Sequence, residues 1–196
     1  MKLNSLENNY PEDYRILRLV FETPERAPKE FLELMNKEEY RKGEFLQNDF
    51  HQLVDLIYVV EGSVRVFEQT EGVERVHRLL GKGDVFYDYS SCGRSSENRL
   101  IVQFSSRSIV YRMRYDLLVA ATVDSVVVRE FLIQLASKML FEEIEHRSLL
   151  SGVEAITRIN VVKSLFPHMI TRFTQRDLSS YLGMAVESYN RLYHQI

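Results

Sequence analysis

Two rhythms of apolar and polar residues divide this chain, a helical spacing at both ends and a two-residue alternation between them. Over residues 1–36, Tyr14, Leu17 and Phe21 recur at helical spacing, and Pro24 and Pro28 interrupt. Lys29–Met35 then reads as a short helix with Phe31, Leu32 and Met35 inward. From about Tyr40 to Arg114 the period shortens. Leu56, Tyr58 and Val60 alternate, Glu61-Gly62 turns the chain, and Val64 and Val66 alternate after it. Glu71-Gly72 marks a hairpin before Val73–Leu80, and Gly81-Lys82-Gly83-Asp84 a further turn. Leu100–Phe104 and Ile109–Met113 supply the last strands. Many short strands separated by glycine turns predict an antiparallel β-barrel or jelly roll.

Beyond Tyr115 the spacing is helical again. Leu117, Leu118 and Ala121 make a short helix, and from about Ser125 to His146 neither proline nor glycine occurs. Val128, Phe131, Leu132, Leu135, Met139 and Leu140 form a broad apolar stripe there. A helix of that length spans roughly 35 Å at ~1.5 Å per residue, more than one small barrel covers. A second copy of the chain is the economical cover for the stripe. Gly152 breaks the helix, and Ile156–Phe166 forms another, closed by Pro167.

The last stretch carries the candidate chemistry. Thr174 and Asp177 have the spacing of a capping box, Leu178 and Leu182 lie one turn apart, and Gly183 can end the helix in a left-handed residue. A second helix restarts near Ala185, giving a helix-turn-helix. At 100° per residue, Tyr189, Leu192, Tyr193 and Ile196 fall on one side, and Glu187, Asn190, Arg191 and His194 on the other. The outward set contains the side chains that read base edges: a carboxylate for cytosine, a guanidinium for guanine, an amide for adenine.

Bulk properties narrow the function. The chain has 196 residues, 45% hydrophobic and 27% charged, enough to bury a core in one large domain or two modest ones. A net charge of −3 argues against wholesale nonspecific coating of nucleic acid. From Ala155 onward, however, Arg158, Lys163, Arg172, Arg176 and Arg191 outweigh Asp177 and Glu187. Cys92 is the single cysteine, which excludes an intrachain disulfide and a four-thiolate metal site. His51 and His77 are isolated, no His-x-His pair occurs, and no catalytic motif is present, so an enzyme is not expected. The first residues lack the design of a signal peptide, and no apolar run approaches the ~20 residues that span a bilayer. A cytoplasmic protein with no membrane partner is the expectation.

A small β-barrel, one long helix and a terminal helix-turn-helix, in that order, resembles the Crp/Fnr family of bacterial transcription regulators. The residues that carry the resemblance are Tyr58–Val66, Gly81–Phe86, and Thr174–Gly183 through Arg191. It implies an α+β chain with residues 1–118 as a helix-flanked sensor barrel, 119–150 as a dimerisation helix and 151–196 as the DNA-binding unit. Double-stranded DNA, a second copy of the chain and RNA polymerase are the implied partners, with a small-molecule effector and no cofactor. Glu187 and Arg191 match the family's base-reading positions, Ser188 a phosphate contact, and Val186 stands where a second base-reading arginine is usual. Thr174, Gln175 and Arg176 would hold phosphates, and Asn190 lies on the outward side. The family's wing after the recognition helix has no counterpart before Ile196. In cyclic-nucleotide-binding members a Phe-Gly-Glu turn precedes an arginine followed by two small residues. Here Phe86-Tyr87-Asp88 and Arg99-Leu100-Ile101 stand in those places. Tyr87 would crowd the phosphate, so Tyr87, Asp88 and Arg99 are expected to serve an effector other than cyclic AMP.

Overall fold

A computed structural model describes residues 31, 33–46, 55–87 and 100–195. The early helical positions Tyr14, Leu17 and Phe21, together with Leu32, His51, Asp88, Cys92, Arg99 and Ile196, lie outside the described residues.

Seven strands are described: β1 (Asn36–Tyr40), β2 (Leu56–Glu61), β3 (Val64–Thr70), β4 (Val73–Leu80), β5 (Val85–Phe86), β6 (Ile101–Phe104) and β7 (Ser108–Met113). They form two antiparallel sheets, ordered β1-β7-β2-β5 and β4-β3-β6. Residues 43–46 lead from β1 across to β6, where the Leu46 amide donates to the Val102 carbonyl at 3.0 Å and the Phe104 amide to the Glu44 carbonyl at 2.9 Å. Among the described residues no ladder joins β4 to β5. Of the expected antiparallel barrel or jelly roll, the described residues show two antiparallel sheets and no closed barrel. Their shared core holds Ile57, Val59, Val64, Val66, Phe86, Val102, Phe104 and Val110. In β2 it is Ile57 and Val59 that point inward, while Leu56 faces a different cluster. A continuous apolar run such as Leu56–Val60 does not reveal its own phase. β1 is an addition to the sequence reading. Its Asn-Lys-Glu-Glu-Tyr composition shows no alternation because it is an edge strand with most of its side chains wet.

Six helices follow: α1 (Tyr115–Asp124), α2 (Val126–Leu150), α3 (Ala155–Leu165), α4 (Pro167–Arg172), α5 (Gln175–Tyr181) and α6 (Val186–Tyr193). Ser125 separates the first two; its backbone is extended and its side chain accepts from the Val128 amide, capping α2. α2 buries Val128, Phe131 and Leu135 against Phe31, Leu56, Met113 and Leu118. Most of the expected stripe is thus covered within the chain. Leu140 is not, and with Val126, Ile133 and Ile144 it forms a second apolar line that stays exposed. Pro167 ends α3 as expected and also opens α4, where its fixed φ suits a first turn.

The β4-β3-β6 sheet is apolar on both faces. Val64, Val66 and Leu80 face the core between the sheets. Phe67, Val76 and Leu79 face outward into a cluster with Ile159, Val162, Met169, Phe173, Leu178, Leu182 and Tyr189. A register shift opposite the Val66–Phe67 step of β3 leaves His77 as an extra residue on β4, so that Val76 and Leu79, three positions apart, share the outer face. The α3–α6 unit is consequently a third layer, packed on the outside of this sheet.

Candidate nucleic-acid interface

The start of α5 is built as its sequence predicts. The Thr174 hydroxyl oxygen accepts from the Asp177 amide at 3.1 Å, and the Asp177 carboxylate accepts from the Thr174 amide at 3.3 Å. Leu178 and Leu182 are buried beneath this turn. Gly183 follows with φ +65°, and the chain re-enters a helix at Val186. One device was not legible in sequence: Arg158 on α3 donates from Nη1 to the Leu182 carbonyl at 2.6 Å, closing the end of α5.

α6 divides into two sides. Tyr189 is 1% exposed, Leu192 and Tyr193 are half-buried, and Tyr189 and Tyr193 stack with centroids 5.6 Å apart. Burial pushes the Tyr189 phenol up from its ordinary pKa, and the neighbouring Tyr193 adds to the effect. Glu187, Arg191 and His194 are exposed on the other side. Gln175 and Arg176 are exposed on the first turn of α5, and Val186 and Ser188 are half-exposed at the start of α6. Asn190 differs from the expected outward placement: it is half-buried, and its Oδ1 is buried with no hydrogen-bond partner among the described residues. Thr174 is exposed as a residue, but its hydroxyl also donates to Asp177 Oδ2 at 2.7 Å.

Three of the five basic residues of this unit are held by contacts within the chain. Arg158 is committed to the Leu182 carbonyl, and Arg172 donates to the Gly62 carbonyl at 3.0 Å. Lys163 lies 5.4 Å from the Tyr193 ring centroid. Arg176 and Arg191 have no ion pair among the described residues, nor does Glu187. Exposed and without such contacts among the described residues are one carboxylate and one guanidinium a turn apart on α6, with a second guanidinium on α5.

Comparisons with solved structures agree on this architecture. FixK2 from Bradyrhizobium japonicum superimposes with a TM-score of 0.63 at 24% identity, over 82% of this chain and 83% of that one. The c-di-GMP-responsive global regulator CLP from Xanthomonas campestris gives 0.60 at 17% identity, over 85% and 88%. A transcriptional regulator of the Crp/Fnr family from Eubacterium rectale gives 0.62 at 16% identity, over 94% and 87%. The fold is that of the Crp/Fnr regulators. No family model matches the sequence, and no curated protein does.

Within this Crp/Fnr-like fold, Tyr87 is half-buried beside the α1–α2 pair. It lines a mostly apolar cavity of about 430 Å³ with Leu56, Leu118, Leu132 and Met139, and Arg129 stands in the same lining. Asp88 and Arg99, its expected companions, lie outside the described residues. Elsewhere His77 faces Glu68 at 3.3 Å, and among the described residues no three His, Cys, Asp or Glu side chains gather in a metal-binding group. No described helix is long and apolar enough to cross a membrane.

Proposed function

We propose that the protein is a dimeric, sequence-specific DNA-binding transcription regulator with a ligand-sensing domain. Residues 1–118 form the sensor, 119–150 the dimerisation segment and 151–196 the DNA reader. The observation that carries this reading is α6, where Tyr189 is sealed inward and Glu187 and Arg191 are left outward without ion pairs among the described residues. Side chains free of internal partners can bond base edges at no cost in broken contacts. Arg176, Gln175, Thr174 and Ser188 flank them as phosphate contacts, and Val186 offers an apolar contact to a thymine methyl.

The fold supports a regulator rather than an enzyme, since the structures it resembles include Crp/Fnr transcription regulators. Dimerisation is supported by α2, whose Val126, Ile133, Leu140 and Ile144 recur at seven- and four-residue spacing on an exposed side. An effector other than cyclic AMP is supported by the sequence, where Tyr87 stands at the place of the glycine in the Phe-Gly-Glu turn of cyclic-nucleotide-binding members.

Selection from a random duplex pool tests the reading. Enrichment of a pseudo-palindrome with half-site centres about 34 Å apart is expected, since a two-fold dimer meets successive major grooves at that distance. Binding that weakens with salt on every duplex alike, with no sequence enriched, would show a ligand-binding or interaction module whose helix-turn-helix is vestigial. Calorimetry with cyclic AMP should give no heat of binding; micromolar affinity overturns the effector assignment.

A further inference from the structure

Arg65 stands on β3, facing the α3–α6 layer, with its side chain only 15% exposed. Its Nε donates to Gln103 Oε1 on β6 at 2.7 Å. Its Nη1 donates to Glu74 Oε2 on β4 and to Asp177 Oδ1 on α5, both at 2.9 Å. The guanidinium carbon lies 4.3 Å from the Phe67 ring centroid. Burial alone would lower the pKa of Arg65, but its bonds to the two carboxylates outweigh that and raise it, so the cation persists. One charge therefore ties two strands of the sensor to the first turn of the reader. Asp177 is the junction, because its other oxygen bonds Thr174 and caps α5. Three further bonds line the same joint. Ser180 Oγ accepts from the Val76 amide at 2.9 Å and donates to the Glu74 carbonyl at 3.3 Å, and Arg172 reaches the Gly62 carbonyl.

We infer that Arg65 is a positioning residue for DNA reading: it fixes the angle at which the helix-turn-helix sits on the sensor, and so the separation of the two recognition helices in the dimer. The inference rests on the DNA-reading assignment above. The apolar contacts of Phe67, Val76 and Leu79 hold the layers together but are non-directional. A charged hydrogen-bond hub with fixed planar geometry supplies the direction. It also links β6 to α5 through Gln103 and Asp177, a route between sensor and reader that bypasses the long helix α2.

The test uses the full-length dimer with two variants, Arg65→Met and Asp177→Asn. The second retains a cap acceptor and side-chain volume, so it reports on the hub even where Arg65→Met folds poorly. In the free protein, hydrogen exchange at Val76 and along α5 should rise by about 10-fold or more in both variants. Protection at Ile57, Val59 and Val110 should not change. On the duplex selected by the wild type, changing the half-site spacing by one or two base pairs should weaken wild-type binding by about 10-fold or more. In Asp177→Asn that penalty should shrink to about 3-fold or less, because a loosened reader adapts to altered spacing. A uniform loss of stability would weaken all duplexes alike and leave the spacing profile intact; that outcome overturns the inference, as does unchanged exchange at α5. A wild type with no preferred duplex overturns the DNA-reading assignment first and the inference with it, whatever the exchange data show about the joint.

Discussion

At Gly62 the backbone holds φ at +101°, and a Cβ built there would stand 2.2 Å from the Ser108 hydroxyl oxygen and 2.6 Å from the Arg107 carbonyl. Both the left-handed conformation and the close approach of β7 require glycine. Gly62→Ala should therefore destabilise the sensor by more than about 1 kcal/mol, read as a lower denaturation midpoint. The contrasting change, Gly43→Ala, meets no atom within 4 Å and bears only the cost of its own positive φ. Arg191 is sensitive for a different reason. It is exposed and without an ion pair among the described residues, so Arg191→Ala should leave stability within about 0.5 kcal/mol of wild type. It should relax discrimination at one base pair per half-site by roughly 1–3 kcal/mol, measured with single-substitution duplexes. Equal losses on all duplexes would make Arg191 a phosphate contact.

Among the elements, α6 and α2 show how a helix serves two surroundings. α6 has one buried side and one wet side, and Tyr189 anchors the buried one. Tyr189→Ala removes a ring that is 1% exposed and should cost about 3–5 kcal/mol, enough to loosen the α3–α6 layer. Near-ultraviolet circular dichroism and thermal melting read that loss. α2 has apolar residues on two sides. Val128, Phe131 and Leu135 are satisfied by the chain itself, whereas Ile133, Leu140 and Ile144 are 61%, 57% and 58% exposed. Placing charge on the second line tests its use. Ile133→Glu with Leu140→Glu should convert a dimer to a folded monomer in sedimentation, with the secondary structure unchanged. A wild type that is itself monomeric at micromolar concentration would remove dimerisation from the proposal. The terminal helix pair was the most legible part of the sequence, since a capping box, paired leucines and a left-handed glycine are local signals. The edge strand β1 and the short helix α4 were not, because neither carries an apolar period of its own.

At the scale of the whole molecule, the sensor and the reader are not beads on a string. The outer face of β4-β3-β6 is apolar because the α3–α6 layer covers it, and Arg65, Ser180 and Arg172 add polar bonds at the seam. The same arrangement fixes two arginines of the α3–α6 layer in place, with Arg158 and Arg172 bonded to carbonyls. DNA affinity should accordingly show a shallow salt dependence for a regulator of this size. With few free arginines on each reader, the slope of log K against log salt follows the small number of phosphates neutralised.

By itself the sequence determined the succession from short strands to a long helix and a terminal helix pair, the capped turn before α5, and the division of α6 into an aromatic side and a charged side. These follow from residues within a few positions of one another, where hydrogen bonds and helical spacing act directly. The tertiary structure alone decided which phase of β2 faces the core, that the described strands divide into two sheets, and which arginines are held by contacts within the chain. It also decided that Asp177, recognisable as a cap, is equally the anchor for Arg65 112 positions earlier in the chain. Contacts between distant segments depend on how layers meet in space, and a one-dimensional pattern holds no record of that meeting.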